Sequence, residues 1–206
     1  MTLFITGIST GVGKTLASAI AVQALKSDYW KPVQSGDLHQ TDSMEVKRLL
    51  SFPAVIYPEA YRLNTPASPH LSAQIDGIEI DVEILAKRPS QNLVIEGAGG
   101  ILVPLNDTHT MLDLIQPKDK VLVVSQNYLG SINHTMLTIM ALEQKVGKRN
   151  IAVLFNGDEN PSTQSYILNS GVTGIGRIDA NIQVSPETVE RYAQLFADKL
   201  KSFVCQ

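Results

Sequence analysis

Short, continuous apolar runs alternate along this chain with longer amphipathic stretches, and this alternation limits the possible fold more than any other feature. Four runs are predicted to be strands buried on both faces of a parallel sheet: residues 2–6, 92–95, 121–124 and 151–155. Three stretches have helical periodicity: residues 16–25, 131–144 and 186–203, the last capped by Ser185. The alternation predicts an α/β fold with a doubly wound, mainly parallel sheet.

Composition predicts one globular domain over residues 1–206, since 206 residues with 44% hydrophobic and 18% charged side chains suit a single core. A net charge of −3 gives no electrostatic reason to expect nucleic acid or anionic lipid as the main partner. Cys205 alone cannot form an internal disulfide, and no signal-peptide pattern or apolar run of membrane-spanning length is present. We therefore expect a cytoplasmic protein with no membrane partner.

A glycine-rich segment, Gly-Ile-Ser-Thr-Gly-Val-Gly-Lys-Thr at residues 7–15, follows the first predicted strand and opens the first predicted helix. Gly11 and Gly13 allow successive N–H groups to turn inward and form an anion nest at the helix start. Lys14 adds a positive charge for the phosphates, and the Thr15 hydroxyl is placed to join a magnesium shell. The segment has one residue more than the usual spacing, yet its context predicts a nucleoside triphosphate site.

Carboxylates for a metal ion follow later in the chain. Glu96 ends a predicted strand and precedes the glycine-rich residues 97–100, and the carboxyl end of a central strand faces the ligand crevice of α/β folds. Asp42 is predicted to open a helix, either as a Mg²⁺ ligand or as an ordinary helix cap. Asp107 and Asp113 are weaker metal candidates.

Two further segments are open to a structural or a functional interpretation. In the segment Lys-Pro-Val-Gln-Ser-Gly (residues 31–36), Lys31 and Ser35 place a cation and a hydroxyl at a predicted strand end. Lys31 is either solvated or positioned to stabilise an anion during phosphorylation. Residues 51–77 contain four prolines and either cover the sheet or contribute to a site.

Five segments taken together resemble the dethiobiotin synthetase family: residues 7–15, 31–36, 66–70 (PASPH), 96–100 (EGAGG) and 129–134 (LGSINH). They keep the family's order and cover the chain to about residue 156. The resemblance implies a P-loop nucleoside triphosphate hydrolase-like fold that uses ATP and Mg²⁺. It implies carboxylation and ring closure of 7,8-diaminopelargonate with carbon dioxide to dethiobiotin, through a phosphorylated carbamate, in biotin biosynthesis.

Matching positions carry the family's residue roles onto this chain. The resemblance implies that Lys14 and Lys31 are catalytic and that Thr15, Asp42 and Glu96 hold Mg²⁺. The expected nucleotide contacts are Thr10, Gly11, Val12, Gly13, Lys14, Thr15, Glu96, Gly97, Gly99, Gly100 and Asn156. Ser35 would contact the carbamate or the diamine. The partner subunit of a homodimer would bind the substrate carboxylate through Leu129, Gly130, Ser131, Ile132 and Asn133.

Some positions depart from the family pattern. The link between the first helix and Lys31 is short, so a curtailed second strand is expected. Asp179 stands where a proline is common, which leaves the purine contacts and the nucleotide preference open. Structural roles are expected for three histidines: His70, His109 and His134.

Other classes fit the sequence less well. Cobyrinate amidase relatives carry a glutamine-hydrolysing domain with a nucleophilic cysteine, a role that Cys205 cannot fill. Partitioning-type ATPases have a signature lysine where Ile8 stands. Small GTPases need Asn-Lys-x-Asp for guanine, and the segment beginning at Asn156 lacks the lysine. A pure binding module has no use for Lys31 and Glu96 at these positions.

Overall fold

A computed structural model describes residues 1–205, and within that range the strands and helices alternate as expected. The strands are β1 (Thr2–Gly7), β2 (Asp28–Trp30), β3 (Val33–Ser35), β4 (Ile56–Tyr57), β5 (Tyr61–Leu63), β6 (Leu93–Gly100), β7 (Lys120–Gln126), β8 (Ile151–Asn156) and β9 (Thr173–Ile178). The helices are α1 (Lys14–Leu25), α2 (Asp42–Leu49), α3 (Pro69–Asp76), α4 (Val82–Ala86), α5 (Ser131–Val146), α6 (Pro161–Leu168) and α7 (Pro186–Cys205). Short 3₁₀ helices span Met111–Leu114 and Lys148–Asn150.

The main sheet has seven strands in the order β4-β2-β6-β1-β7-β8-β9, and every neighbouring pair is parallel. The predicted doubly wound α/β architecture is therefore confirmed. The strand β1 lies at its centre, between β6 and β7. The carboxyl ends of β1, β2 and β6 consequently meet at one edge, where ligands bind in open parallel sheets.

Alternating side chains of β1 pack on opposite faces of the sheet, as the period of a strand requires. Leu3 and Ile5 join a core with α1 and α7, whereas Phe4 joins a second core with α5. Helices cover both faces of the sheet. Because the side chains on both faces of the central strands are therefore buried, the sequences of these strands are continuously apolar.

Two sequence predictions about local structure are confirmed and one needs correction. The strand β2 has only three residues, and the Ser185 hydroxyl accepts from Thr188 N–H (3.3 Å) at the start of α7. Glu96, however, does not end its strand. After an irregularity in its pairing with β1, β6 continues to Gly100, which pairs with Gly7, because glycines can follow the displaced backbone without side-chain clashes.

The proline-rich residues 51–77 contain β4, β5 and all of α3. The strand β5 pairs in parallel with β3 as a separate two-stranded sheet, and Gly36 N–H donates to the carbonyl of Leu63 (2.8 Å). This small sheet brings the segment beside residues 31–36. Within residues 1–205, no helix is both long and apolar enough to cross a membrane.

Candidate active site

The glycine-rich loop connects β1 to α1 and adopts backbone conformations that require glycine. Gly11 has φ +75° and Gly13 has φ +93°, both in the left-handed region. Gly13 caps α1, and a Cβ at this position would overlap the side-chain amide of Asn156. Gly13 is therefore required both for its backbone angle and for the close approach of β8.

Asn156 lies at the end of β8, and its amide nitrogen donates to the carbonyl of Val12 (2.9 Å). This hydrogen bond ties the glycine-rich loop to the strand on the far side of β7. The Val12 side chain is buried in the core, so only its backbone can face a ligand. Asn156 thus fixes the loop, in addition to the nucleotide contact that the resemblance implies.

Lys14 begins α1 with a buried side chain, whose ammonium donates to the carbonyl of Ser9 (3.1 Å) across the loop. Burial lowers the pKa of Lys14, although the charges of Glu96 and Asp42 partly offset that effect. A buried ammonium with so few anionic partners is stabilised by an added anion such as phosphate.

Three oxygen-bearing side chains converge at the start of α1. Thr15 Oγ1 lies 2.9 Å from Asp42 Oδ1 and 3.0 Å from Glu96 Oε1. A threonine hydroxyl has one proton, so it can donate to only one of these two carboxylates at a time. The remaining short oxygen contact favours a cation, and this set of hard oxygen donors fits Mg²⁺.

Lys31 supplies the positive charge in this cluster. Its ammonium pairs with Asp42 Oδ2 and lies 3.2 Å from Glu96 Oε1, and its side chain is only 6% exposed. Burial opposes the charge on Lys31, but the two carboxylates outweigh that effect and raise its pKa. The same ion pair lowers the pKa of Asp42, although burial alone would raise it. The solvated-lysine alternative for Lys31 is therefore wrong.

The helix start of α2 presents Asp42 to this cluster without using it as a cap. Thr41 is the N-cap of α2, and its hydroxyl accepts from Met44 N–H (3.3 Å). Gln34 Oε1 accepts from the Asp42 backbone N–H (3.3 Å), which fixes the first turn. The carboxylate of Asp42 is thus free to meet Thr15 and Lys31.

The other two acidic candidates lie apart from this cluster. Asp113 accepts from the backbone and hydroxyl of Thr110 (2.7 and 3.1 Å) and closes a capping box of the 3₁₀ helix. Asp107 is exposed in a loop. Within residues 1–205 no three His, Cys, Asp or Glu side chains are grouped to hold a metal, so phosphate oxygens and water would complete a shell begun by Thr15, Asp42 and Glu96.

Tyr29 is a site residue that the sequence did not reveal. Its ring is fully buried in the core on the α1 side, and its hydroxyl donates to Glu96 Oε2 (2.9 Å). Burial and the neighbouring Glu96 raise the pKa of Tyr29 well above its usual value, so the phenol remains a donor. The period of two along a strand, which places residues 29 and 31 on one face, was the available signal.

The charged cluster and the phosphate loop line a cavity of about 660 Å³ that opens at the carboxyl edge of the sheet; its walls include Lys14, Thr15, Lys31, Asp42 and Glu96 but not Tyr29. Thr10 and Gly99 lie on one wall, and Ser35 and the residues 66–69 lie on another. Ser35 Oγ is buried and has no hydrogen-bond partner among the described residues. The volume suits a small-molecule ligand, and the Ser35 hydroxyl is available to it. The proline-rich segment therefore has a place in the site as well as on the sheet.

Two of the predicted glycine contacts lie outside this cavity. Gly97 packs its backbone against the Phe4 ring, since a Cβ there would lie 3.1 Å from Phe4. Gly100 lines a smaller pocket beside the loop, with Leu102, His134 and Leu137. Only Ala98 and Gly99 of this stretch face the main cavity.

The predicted substrate residues 129–133 also lie outside the main cavity of their own chain, at the start of α5. Gly130 caps the helix with φ +99°, Leu129 is fully exposed and Ser131 is buried. Ile132, Leu137 and Met140 present further exposed apolar area along α5. This surface is available to a second molecule.

Each of the three histidines in question has a hydrogen-bonding neighbour. The Nδ1 atoms of His70, His109 and His134 lie 3.0, 2.8 and 2.8 Å from the hydroxyls of Ser68, Thr108 and Tyr128. These local contacts agree with the expected structural roles.

A glycine-rich loop at a helix start, with a lysine, a threonine and two carboxylates at the carboxyl edge of a parallel sheet, defines a P-loop protein that binds a nucleoside triphosphate. Comparison with known sequences narrows the class. The profile of a family described as an AAA domain matches residues 1–188. The ATP-dependent dethiobiotin synthetase BioD of Christiangramia forsetii is 49% identical over 96% of both chains. That of Cytophaga hutchinsonii is 46% identical over 92% of this chain and 94% of its own.

The chain belongs to the ATP-dependent dethiobiotin synthetase family, a family of ATP-dependent enzymes. Solved structures agree on the fold alone. A MinC:MinD cell division protein complex of Aquifex aeolicus matches with a TM-score of 0.58 and 16% identity, over 100% of this chain and 96% of the other. A plasmid partition protein of Borrelia burgdorferi matches with a TM-score of 0.58 and 12% identity, over 98% of each.

Proposed function

We propose that this protein converts 7,8-diaminopelargonate, carbon dioxide and ATP into dethiobiotin, ADP and phosphate. The observation that carries the proposal is the convergence of Lys14, Lys31 and the Thr15–Asp42–Glu96 cluster on one cavity beside the phosphate loop. Family membership supplies the reaction, and this geometry supports phosphoryl transfer to an anion held between the two lysines.

The chemistry needs ATP because a carbamate does not lose its oxygen readily. One substrate amine attacks carbon dioxide and becomes a carbamate. A carbamate oxygen then attacks the γ-phosphorus, ADP leaves, and a mixed carbamic–phosphoric anhydride forms. The second amine attacks the carbamoyl carbon, phosphate leaves with that oxygen, and loss of the amine proton completes the ureido ring.

Residues of this chain would act by positioning and charge. The N–H groups at the loop and the Lys14 ammonium would hold the transferring phosphate, as helix starts do for anions. Lys31 would neutralise the carbamate as it approaches, and the Ser35 hydroxyl would orient it. Positioning of the reactants in line and electrostatic stabilisation together account for nearly all of the catalysis in such reactions.

Thr15, Asp42 and Glu96 would hold Mg²⁺. The Thr15 hydroxyl oxygen lies 2.9 Å from Asp42 and 3.0 Å from Glu96, and its single proton cannot satisfy both carboxylates. The ion, when bound, neutralises charge on the triphosphate. Lys31 already balances the same carboxylates, so these ligands are kept together before a metal arrives.

The proposed active form is a homodimer whose active sites are shared. Support comes from the exposed apolar residues of α5 and from Leu102, which together leave a surface unpaired in one molecule. The substrate's terminal carboxylate would bind the helix start at residues 129–133 of the partner molecule, where backbone N–H groups favour an anion. These residues do not reach the cavity of their own chain.

The test is a reconstituted reaction. Purified protein is incubated with ATP, Mg²⁺, bicarbonate and 7,8-diaminopelargonate, and dethiobiotin is followed by mass spectrometry. Lys31→Gln should lower kcat by on the order of 10²-fold or more, as expected when a transition-state charge contact is lost. Lys118→Gln, a change at an exposed lysine before β7, is the matched control and should be silent.

Two results would count against the proposal. If the protein hydrolyses ATP at the same rate with and without the diamine and no dethiobiotin forms, the reaction is a different one. If Lys31→Gln retains near-normal turnover, Lys31 has no place in the mechanism.

A further inference from the structure

Glu96 is a buried carboxylate whose two oxygens have different surroundings. Its Oε1 atom faces Thr15 (3.0 Å) and Lys31 (3.2 Å), on the side of the cavity. Its Oε2 atom accepts from the hydroxyl of Tyr29 (2.9 Å), in the core. One oxygen is thus directed to the site, while the other is held by a group that no ligand can reach.

Tyr29 is suited to fix this orientation. It lies on β2, pairs in register with Val94 on β6, and is 0% exposed. Among the described residues, Glu96 is the only hydrogen-bond partner of the Tyr29 hydroxyl. Because a buried carboxylate oxygen without a donor is costly, loss of this hydroxyl would allow Glu96 to turn toward the donors in the cavity.

We propose that Tyr29 is a positioning residue that holds Glu96 with Oε1 toward the metal, and so sets how strongly the site couples Mg²⁺ to the triphosphate. The inference rests on the proposed role of Glu96 as a metal ligand. Partners that orient a metal ligand through a hydrogen bond commonly change metal affinity by about 10- to 100-fold when removed.

The experiment measures the binding of a non-hydrolysable ATP analogue, adenylyl imidodiphosphate, by calorimetry with Mg²⁺ and with EDTA. The ratio of the two affinities is the metal-dependent gain. Tyr29→Phe, which removes only the hydroxyl, should reduce this gain by about tenfold. Binding in EDTA should stay within about twofold, because the phosphate loop is untouched.

Tyr57→Phe is the matched control. Tyr57 lies on the adjacent strand β4, and its hydroxyl is 3.5 Å from the Asp28 carboxylate, away from the cavity. The metal-dependent gain should be the same as in the unmodified protein. An equal loss in Tyr57→Phe and Tyr29→Phe would overturn the inference, since it would report a general effect of weakening the sheet edge.

Glu96→Gln and the double variant separate this inference from the proposed function. Glu96→Gln should reduce the gain at least as much as Tyr29→Phe, and adding Tyr29→Phe to it should cause no further loss. If Glu96→Gln leaves the gain intact, the ligand role of Glu96 is wrong. If Glu96→Gln abolishes the gain but Tyr29→Phe does not change it, Tyr29 has no positioning role.

Folding of the variants is checked by urea unfolding. If Tyr29→Phe fails to fold while the double variant folds, the Tyr29 hydroxyl acts on the Glu96 carboxylate, which is the contact on which the inference depends. If neither folds, the Tyr29 hydroxyl is a general structural requirement and the inference is overturned.

Discussion

Replacing Lys31 with glutamine should change the stability of the protein and also the sign of its response to acid. Lys31 is 5% exposed and is the cation between Asp42 and Glu96, the second of which is 1% exposed. The neutral amide of the Lys31→Gln variant would leave both carboxylates facing Thr15 without a positive partner other than the more distant Lys14.

The size of the loss follows from this burial. Removing one partner of a buried ion pair costs about 3–5 kcal/mol. The Asp42 side chain is 33% exposed, so water partly screens its charge and the lower end of that range applies. We expect Lys31→Gln to lower the free energy of unfolding at pH 7 by about 3 kcal/mol.

The pH dependence follows from the pKa of Asp42. In the unmodified protein Lys31 holds this pKa below its usual value, so the stabilisation is present above about pH 4 and is lost as the pH falls through the folded pKa. Without Lys31, burial, the largest influence on Asp42, is opposed only by the Thr15 hydrogen bond and the Lys14 charge, so we expect the pKa of Asp42 to rise. The folded variant then binds more protons than the unfolded chain, so its stability should rise as the pH falls from 7 toward 5.

Urea unfolding at pH 7, 6 and 5, with Lys118→Gln as control, measures both effects. Added Mg²⁺ should restore part of the loss in Lys31→Gln, because a divalent ion can replace the missing charge. A variant that loses less than about 1 kcal/mol, or whose stability falls in parallel with the control as acid is added, would refute the reasoning.

Four further outcomes are expected. Asn133→Ala should raise the KM for the diamine more than the KM for ATP. Mixing inactive Lys14→Gln protein with an inactive variant at the start of α5 should restore partial activity, because some heterodimer sites would be intact. No recovery of activity, although subunit exchange is demonstrated, would contradict a shared site. Gly13→Ala should abolish binding of ATP by calorimetry, whereas Gly147→Ala, also at positive φ (+75°) but in open space, should affect only stability. Arg88→Met should lower the free energy of unfolding by about 3–5 kcal/mol in a urea titration, because it strands a fully buried aspartate.

The central strands of the sheet and the phosphate loop could be predicted from the sequence. Continuous apolar runs and a glycine-rich turn are local signals, and β1, β6, β7 and β8 each coincide with a predicted run, although β6 extends beyond its run to Gly100. The small sheet of β3 and β5 was not predicted. Its strands have three residues each, and β3 directly follows Pro32, so they exist through their contact with each other and not through local preference.

Sequence reasoning selected the charged residues that the structure brings together and missed the residues that support them. Lys31, Asp42 and Glu96 stand out in the sequence because they lie at predicted strand or helix ends and match the pattern of the dethiobiotin synthetase family. Tyr29 reads as an ordinary core aromatic, and Gln34 as a solvated amide, until tertiary contacts place them beside Glu96 and Asp42. Hydrogen bonds between strands distant in sequence have no local signature.

The strand order has a consequence for how the protein is made. The first two strands of the chain do not touch in the main sheet, since β6 lies between β1 and β2. During synthesis the complete phosphate loop therefore emerges from the ribosome long before β6, the strand that lies between β1 and β2. Glu96 on β6 follows Thr15 by 81 residues. Until that strand is synthesised, a nascent chain carries the anion nest without its acidic partner. High affinity for nucleotide should consequently appear late in translation, after this long-range pairing, which is the kind of contact that slows folding.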